Sequence, residues 1–279
     1  MANIVDGKKT RGRPRAPSSE KPGNTVQSLD RALRLLRSIA SSEQITLTEL
    51  AMMTGMAPST AHRLLMTLQQ QNFVAFDETA QHWHIGVEAF RVGSSFVGRT
   101  RVVDAGRPVM SELMAETGET CNLAIADNGE VVFISQIETP AAIRASFPPG
   151  ARGEMHSSGI GKALLAEYHR DKVKEILQKK GLPSFTSHTI TSVVALFEEL
   201  EKVRQRGWSV DYEERNIGMR CLAAAIFNEY GEAVAGVSIS GPRARLTDER
   251  LSEFGPLVKR MAARITESIG GVAPSHEST

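Results

Sequence analysis

From Val26 onward the apolar residues recur at helical intervals, with Val26, Leu29, Ala32, Leu33, Leu36 and Ile39 sharing one face. A second, shorter helix is expected from Thr46 or Thr48, with Leu47, Leu50 and Ala51 inward and Gly55 as a left-handed terminator. A third opens at Pro58, because proline suits a first helical turn, where its missing N–H would be unpaired anyway. Its inward face is marked by Leu64, Leu65 and Leu68, which leaves Ser59, Thr60, His62 and Arg63 outward. After Asn72 the period shortens to that of strands. Residues 73–76 and 82–85 flank a turn at 77–81 and form a hairpin of the size of a wing. Helical spacing then returns over Val87 to Val97, a connecting helix that carries Phe90, Val92 and Phe96.

Beyond Asp104 the pattern alternates between helix and strand. We expect a helix over 104–117, then strands near 121–126 and 131–137 about the turn Asp127-Asn128-Gly129. Another strand near 142–147 precedes a loop and helices near 159–168, 171–180 and 193–206. Strands near 208–213, 221–229 and 233–240 lead to a final helix from Thr247 to Ile269. The resulting division is a disordered basic arm (1–24), a winged helix-turn-helix (25–86), a linker helix (87–103), an α/β domain (104–271) and a flexible tail (272–279).

Charge sharpens this division. The net charge of +1 over 279 residues conceals a front of 103 residues with 13 Lys/Arg against 8 Asp/Glu. A basic front means that nucleic acid, if bound, is bound there, although many two-domain proteins carry such an imbalance by chance. In a helix-turn-helix the second helix enters the major groove, so Ser59, Thr60, His62 and Arg63 are the candidate contacts with double-stranded DNA. Arg63 would pair with a guanine edge or hold a phosphate. Residues 25–86 alone, however, carry only 4 Lys/Arg against 5 Asp/Glu. Phosphate neutralisation drives non-specific affinity, so the charge must come from elsewhere. The arm supplies six basic residues, and its Arg11-Gly12-Arg13-Pro14-Arg15 is similar to a minor-groove AT-hook core. An ordinary basic tail reads the same way.

Composition excludes other classes. No apolar run nears the roughly 20 residues of a membrane span, and the basic N-terminus lacks the apolar stretch of a secretory signal. Two cysteines, Cys121 and Cys221, give neither a disulfide framework nor metal-ligand spacing. His82 and His84 lie two apart on a strand, yet no partner stands at zinc spacing. The expectation is a cytoplasmic protein without metal or cofactor.

Several runs together resemble the IclR family of regulators. They are Val26-Gln27-Ser28-Leu29-Asp30-Arg31-Ala32-Leu33, the Ser59–Leu65 helix, Met155–Ala166, Arg206–Glu214, Ile217–Ala224 and Val237–Pro242, in that order over about residues 26–270. The resemblance implies an α/β (α+β) fold class: a winged helix-turn-helix, a linker helix and a C-terminal effector-binding domain like GAF and PAS modules. It also implies a homodimer, or a tetramer as a dimer of dimers, on operator DNA. The C-terminal motifs look closest to members that respond to glyoxylate or pyruvate.

That resemblance marks Gly159, Ile160, Asp211, Met219, Cys221, Ser238 and Ser240 as effector-binding positions, with Ala142 and Ala145 on the same wall. The chemistry fits a small 2-oxoacid. Free N–H groups where a loop enters a helix at Gly159 and Ile160 would take its carboxylate. Ser238 and Ser240, two apart on a strand, point to one face. Asp211 would repel an anion and so belongs at the far end of the ligand, facing a hydrated aldehyde, with Cys221 beside it. Small alanines at 142 and 145 and Gly-Ile-Gly at 159–161 depart from the family pattern, so a different small or aromatic acid is the alternative. Two further readings stay open: an enzyme of small carbonyl compounds using Cys221 as nucleophile, and an architectural DNA protein working through its arm.

Overall fold

The computed structural model describes residues 26–42, 44–97 and 101–274. The candidate minor-groove residues Arg11, Arg13 and Arg15 lie outside them. The chain divides into two compact units, with the boundary between Ser95 and Phe96.

The first unit contains α1 (Gln27–Ala40), α2 (Leu47–Thr54), α3 (Pro58–Gln70), β1 (Val74–Asp77), β2 (His82–Ile85) and the start of α4 (Val87–Val97). Its core is Leu35, Ile39, Ile45, Leu50, Ala51, Ala61, Leu65, Val74 and Trp83. The face that α1 buries therefore differs from the expected one. Leu35 and Ile39 are inside, whereas Val26, Leu29 and Leu33 stay exposed. The period was legible, but two apolar stripes overlap on this helix and only one meets the core. Thr46 and Glu49 start α2 with a reciprocal capping box. Gly55, at φ +64°, ends it.

The second unit runs α5 (Arg101–Thr117), β3 (Thr120–Asp127), β4 (Glu130–Ile137), β5 (Arg152–Glu154), a single 3-10 turn at Met155–Ser157, and α6 (Gly159–Glu167). It continues with α7 (Arg170–Lys180), α8 (Val193–Arg206), β6 (Ser209–Tyr212), β7 (Met219–Phe227), β8 (Ala233–Pro242) and α9 (Asp248–Ser268). Six strands form one antiparallel sheet in the order β5-β4-β3-β8-β7-β6. Asn128 (φ 51°) and Gly129 (φ 79°) make the tight β3–β4 turn, whose two left-handed positions few other residue pairs tolerate. No strand forms at 142–147. Residues 138–151 are a loop, and it returns as the short β5.

The alternation along each strand separates two cores. Leu123, Leu222, Val237 and Ile239 point to α5 and α9, where they meet Leu113, Phe254, Val258 and Ile265. Ala124, Phe133 and Ala223 point the other way, to Ile160 and Leu164 of α6 and Leu196 and Leu200 of α8. The sheet thus lies between two helical layers, with α6 against its centre. No helix among the described residues is long and apolar enough to cross a membrane.

Candidate DNA interface and effector cavity

In the first unit α3 turns Ala61 and Leu65 inward. Ser59, His62 and Arg63 are exposed on the opposite side and Thr60 is half-buried beside them, while Met66 and Thr67 extend that surface. Arg63 has no ion-pair partner among the described residues. A notch at the head of α3 is lined by Arg31, Arg34, Gly55, Ala57 and Thr60. Those two arginines come from α1, and the fold brings basic charge to a helix whose own sequence has little. In the wing, Asp77 Oδ1 accepts the N–H groups of Thr79 (2.8 Å) and Ala80 (3.0 Å), which fixes the turn. Among the described residues no group of three or more His, Cys, Asp or Glu side chains is placed to hold a metal.

The second unit holds a cavity of about 120 Å3 between the start of α6 and the sheet. Strand register assembles its floor: Asp211 on β6 lies opposite Cys221 on β7, which lies opposite Ser240 on β8. Ser238, two residues along, faces Ala223. With Gly159 and Ile160, these four residues line one space. Gly159 is needed where α6 meets β7, because a Cβ there would lie 2.7 Å from Cys221 Sγ and 3.3 Å from Ala223 Cβ. Gly161 lets the preceding 3-10 turn pass, since its Cβ would sit 2.2 Å from the Met155 carbonyl oxygen. The Ile160 side chain fills the space that Gly236 leaves, its Cγ2 standing 2.7 Å from a would-be Cβ there.

Polar groups converge on this space with unused capacity. Ser158 caps α6 by accepting the Gly161 N–H. The N–H groups of Gly159 and Ile160 stand at the open helix end, where no intrahelical acceptor exists. Ser240 Oγ accepts from Asn122 Nδ2 at 3.3 Å. The Ser238 hydroxyl, 1 % exposed, has only the soft Cys221 sulfur beside it and no oxygen or nitrogen partner. Ser157 Oγ, also in the lining, is likewise unpaired.

Burial and the nearby Glu214 push the Asp211 carboxyl up to about 7, against the pull of Lys162. Its Oδ1 accepts the Glu214 N–H at 2.7 Å. Burial, then Asp211, raises the Cys221 thiol to about 11. At neutral pH that thiol is protonated and a poor nucleophile. Behind the cavity, Lys162 of α6 and Glu214 form a fully buried ion pair. Sequence reading missed this pair, although a lone cation in the apolar run Gly-Ile-Gly-Lys-Ala-Leu-Leu-Ala demands a buried counter-ion.

Three expected lining residues stand elsewhere. Met219 lies on β7 past the last β6 pairing at Tyr212, and Ala142 is exposed. Ala145 is buried but outside the cavity lining. The loop at 138–151 replaces the expected strand and brings Phe147 over Phe133, with ring centroids 4.6 Å apart. Those two rings, with Val131, form the apolar wall instead. Arg152, Gly153 and Glu154 of β5 and Arg215 and Asn216 after β6 complete the lining.

Comparison with known proteins agrees with this architecture in both units. The family profile described as the IclR helix-turn-helix domain matches residues 28–78, and that of the bacterial transcriptional regulator IclR C-terminal domain matches 94–267. The chain is 46% identical over 272 residues to the HTH-type transcriptional regulator BhcR of Paracoccus denitrificans, covering 96% of each. It is 44% identical over 265 residues to the transcriptional repressor IclR of Escherichia coli, covering 94% of this chain and 97% of the relative. The crystal structure of the Thermotoga maritima IclR superposes with a TM-score of 0.76 at 31% identity, covering 88% of this chain and all of that one. These relatives are regulators rather than enzymes, with a helix-turn-helix for DNA and a domain for a small-molecule effector. This chain belongs to the IclR family of bacterial transcriptional regulators.

Proposed function

We propose that this regulator senses a small 2-oxoacid, glyoxylate first, and that its occupancy changes affinity for operator DNA controlling two- and three-carbon acid metabolism. The unpaired, buried Ser238 hydroxyl in a cavity that also holds the open N–H groups of α6 carries this reading. Such a cradle suits a carboxylate. At about 120 Å3 the cavity is well below the roughly 300–1,000 Å3 of pockets for drug-sized ligands, which favours a ligand of few heavy atoms. A thermal-shift screen of the full chain against two- to four-carbon acids and benzoates tests it, followed by gel shifts on the operator. Glyoxylate or pyruvate should raise the melting temperature, and the increase should vanish in Asp211→Ala. Operator affinity should change about 5- to 150-fold with ligand. Unchanged gel shifts across the acids would reject this gating.

On the DNA side, Arg63 reads the major groove from α3, with Ser59, Thr60 and His62 on the same surface, and Arg31 and Arg34 supply phosphate contacts. Arg63→Ala should weaken operator binding by about 1–3 kcal/mol. If Arg63 reads a base, the loss is confined to the cognate sequence. If it holds a phosphate, the loss is uniform and the salt slope falls by about one. Arg11, Arg13 and Arg15 add minor-groove contacts, tested by comparing AT-rich flanks with and without residues 1–24. The chain acts as a homodimer or a dimer of dimers. The exposed apolar side chains of Val26 just before α1, Leu29 and Leu33 on α1, and Val87 and Phe90 on α4 support self-association. A monomer in sedimentation velocity at working concentration would refute it. The cytoplasm is its place of action, as its DNA partner requires.

A further inference from the structure

We propose that Asp211 meets the ligand as a neutral acid, so that a monoanionic 2-oxo acid enters the cavity together with one proton from solvent. This rests on the sensing reading above.

The titratable and charged groups on and around the cavity come from every neighbouring element. Glu214 and Arg215 follow it in the chain, Lys162 comes from α6, and Cys221 lies opposite on β7. Arg152 and Glu154 stand at the β5 side, and His156 precedes α6. Each cation is already committed. Lys162 pairs with Glu214, Arg215 with Glu154, and Arg152 with Asp127 (2.6 Å) and Glu130 (2.7 Å). His156 gives its Nε2 to the Pro183 carbonyl at 3.0 Å, and burial holds its ring below the usual range and hence neutral. A ligand carboxylate at the start of α6 would add a second anion to a cavity of about 120 Å3, with no uncommitted cation in its lining.

Like charges this close cannot both remain ionised without a large shift in one of them. The ligand carboxylate has the α6 N–H groups to stabilise it, so Asp211 is the group that takes the proton. Burial beside Glu214 already brings it to about 7, so the last step is small. Glu214 is the weaker acceptor because Lys162 holds its charge. The proton adds to a carboxyl oxygen of Asp211, and no bond within the ligand changes. A protonated Asp211 is then a hydrogen-bond donor, matched to the 2-oxo oxygen of the ligand. The unhydrated oxo form suffices, and pyruvate fits as well as glyoxylate.

The test is calorimetric titration of the full chain with glyoxylate and with pyruvate, in phosphate and in Tris, at pH 6, 7 and 8. The difference in heat between buffers gives the protons taken up. Uptake should approach one per ligand at pH 8 and fall toward zero at pH 6, where Asp211 already holds its proton. Affinity should weaken toward tenfold per pH unit above about 7. Asp211→Asn, which keeps a donor but cannot ionise, should bind without uptake and without this pH dependence. Binding at pH 8 with identical heats in both buffers overturns the inference, as does uptake that persists in Asp211→Asn. The wild-type measurement decides on its own if the variant does not bind. Failure of every two- to four-carbon acid to bind at any pH removes the sensing reading and this inference with it, an outcome distinct from binding without uptake.

Discussion

Lys162→Met is expected to destabilise the second unit by about 3–5 kcal/mol, because it strands the Glu214 carboxylate in a place water does not reach. Lys162 is 1 % exposed and Glu214 3 %, so neither charge can turn outward. For a unit of this size that loss lowers the melting temperature by about 6–20 °C. The double variant Lys162→Met/Glu214→Leu should recover most of it, because an apolar pair often replaces a buried ion pair without penalty. Recovery in the double variant separates a stranded charge from lost packing, which the second substitution would leave unrepaired.

The same variant has a defined pH dependence. Burial already raises the Glu214 carboxyl above its ordinary value, and Lys162 opposes that rise. Without Lys162 the folded-state value rises further, so the folded chain binds more protons than the unfolded one across the interval between the two values. Stability then falls as pH increases through that interval. The deficit of Lys162→Met should therefore be smallest near pH 5 and grow toward pH 8, read by calorimetric melting at each pH. A gap that is constant with pH would mean that the carboxylate finds another partner. Glu214 also anchors the cavity from behind, since its N–H donates to Asp211 and its carbonyl accepts from Thr189 Oγ1 at 2.6 Å. Weaker effector binding should accompany the melting change.

Much of this was legible in the chain, for reasons that differ by element. The hairpin β3–β4 followed from Asn128-Gly129, since few other pairs satisfy two left-handed positions. The start of α3 followed from Pro58 and the end of α2 from Gly55. Ser238 and Ser240 were placed on one face by the period of a strand alone. What failed was long-range. The stretch at 142–147 alternates enough to read as a strand, but Phe147 packs on Phe133 and the backbone leaves the sheet. The α1 face was misjudged because spacing cannot say which of two apolar stripes meets a core. Most informative was Asp211. Read as a fixed anion it calls for a hydrated ligand, and burial beside Glu214, which raises its carboxyl, opens the second reading proposed above.

Gly159→Ala should be nearly as damaging as the loss of Lys162, and at a different step. One methyl group is added at the contact between α6 and β7, where the space is already taken by Cys221 Sγ and Ala223 Cβ. Neither neighbour is a long side chain that can swing aside, and Ser209 Oγ donates to the Gly159 carbonyl at 2.6 Å, tying the helix start to β6. The strain has to be taken by the first turn of α6, at a cost of about 1–3 kcal/mol for overpacking. A shift of a few tenths of an ångström there moves the N–H groups proposed to hold the ligand carboxylate. Effector affinity should fall by more than the change in stability alone accounts for. Cys221→Ala removes the nearer obstacle, so in Gly159→Ala/Cys221→Ala the two costs should be less than additive by 1 kcal/mol or more. Melting temperatures of the four proteins of this cycle, with and without glyoxylate, read both effects. Strict additivity would show that the helix start had room to spare, and an unaltered ligand response would move the carboxylate site away from α6.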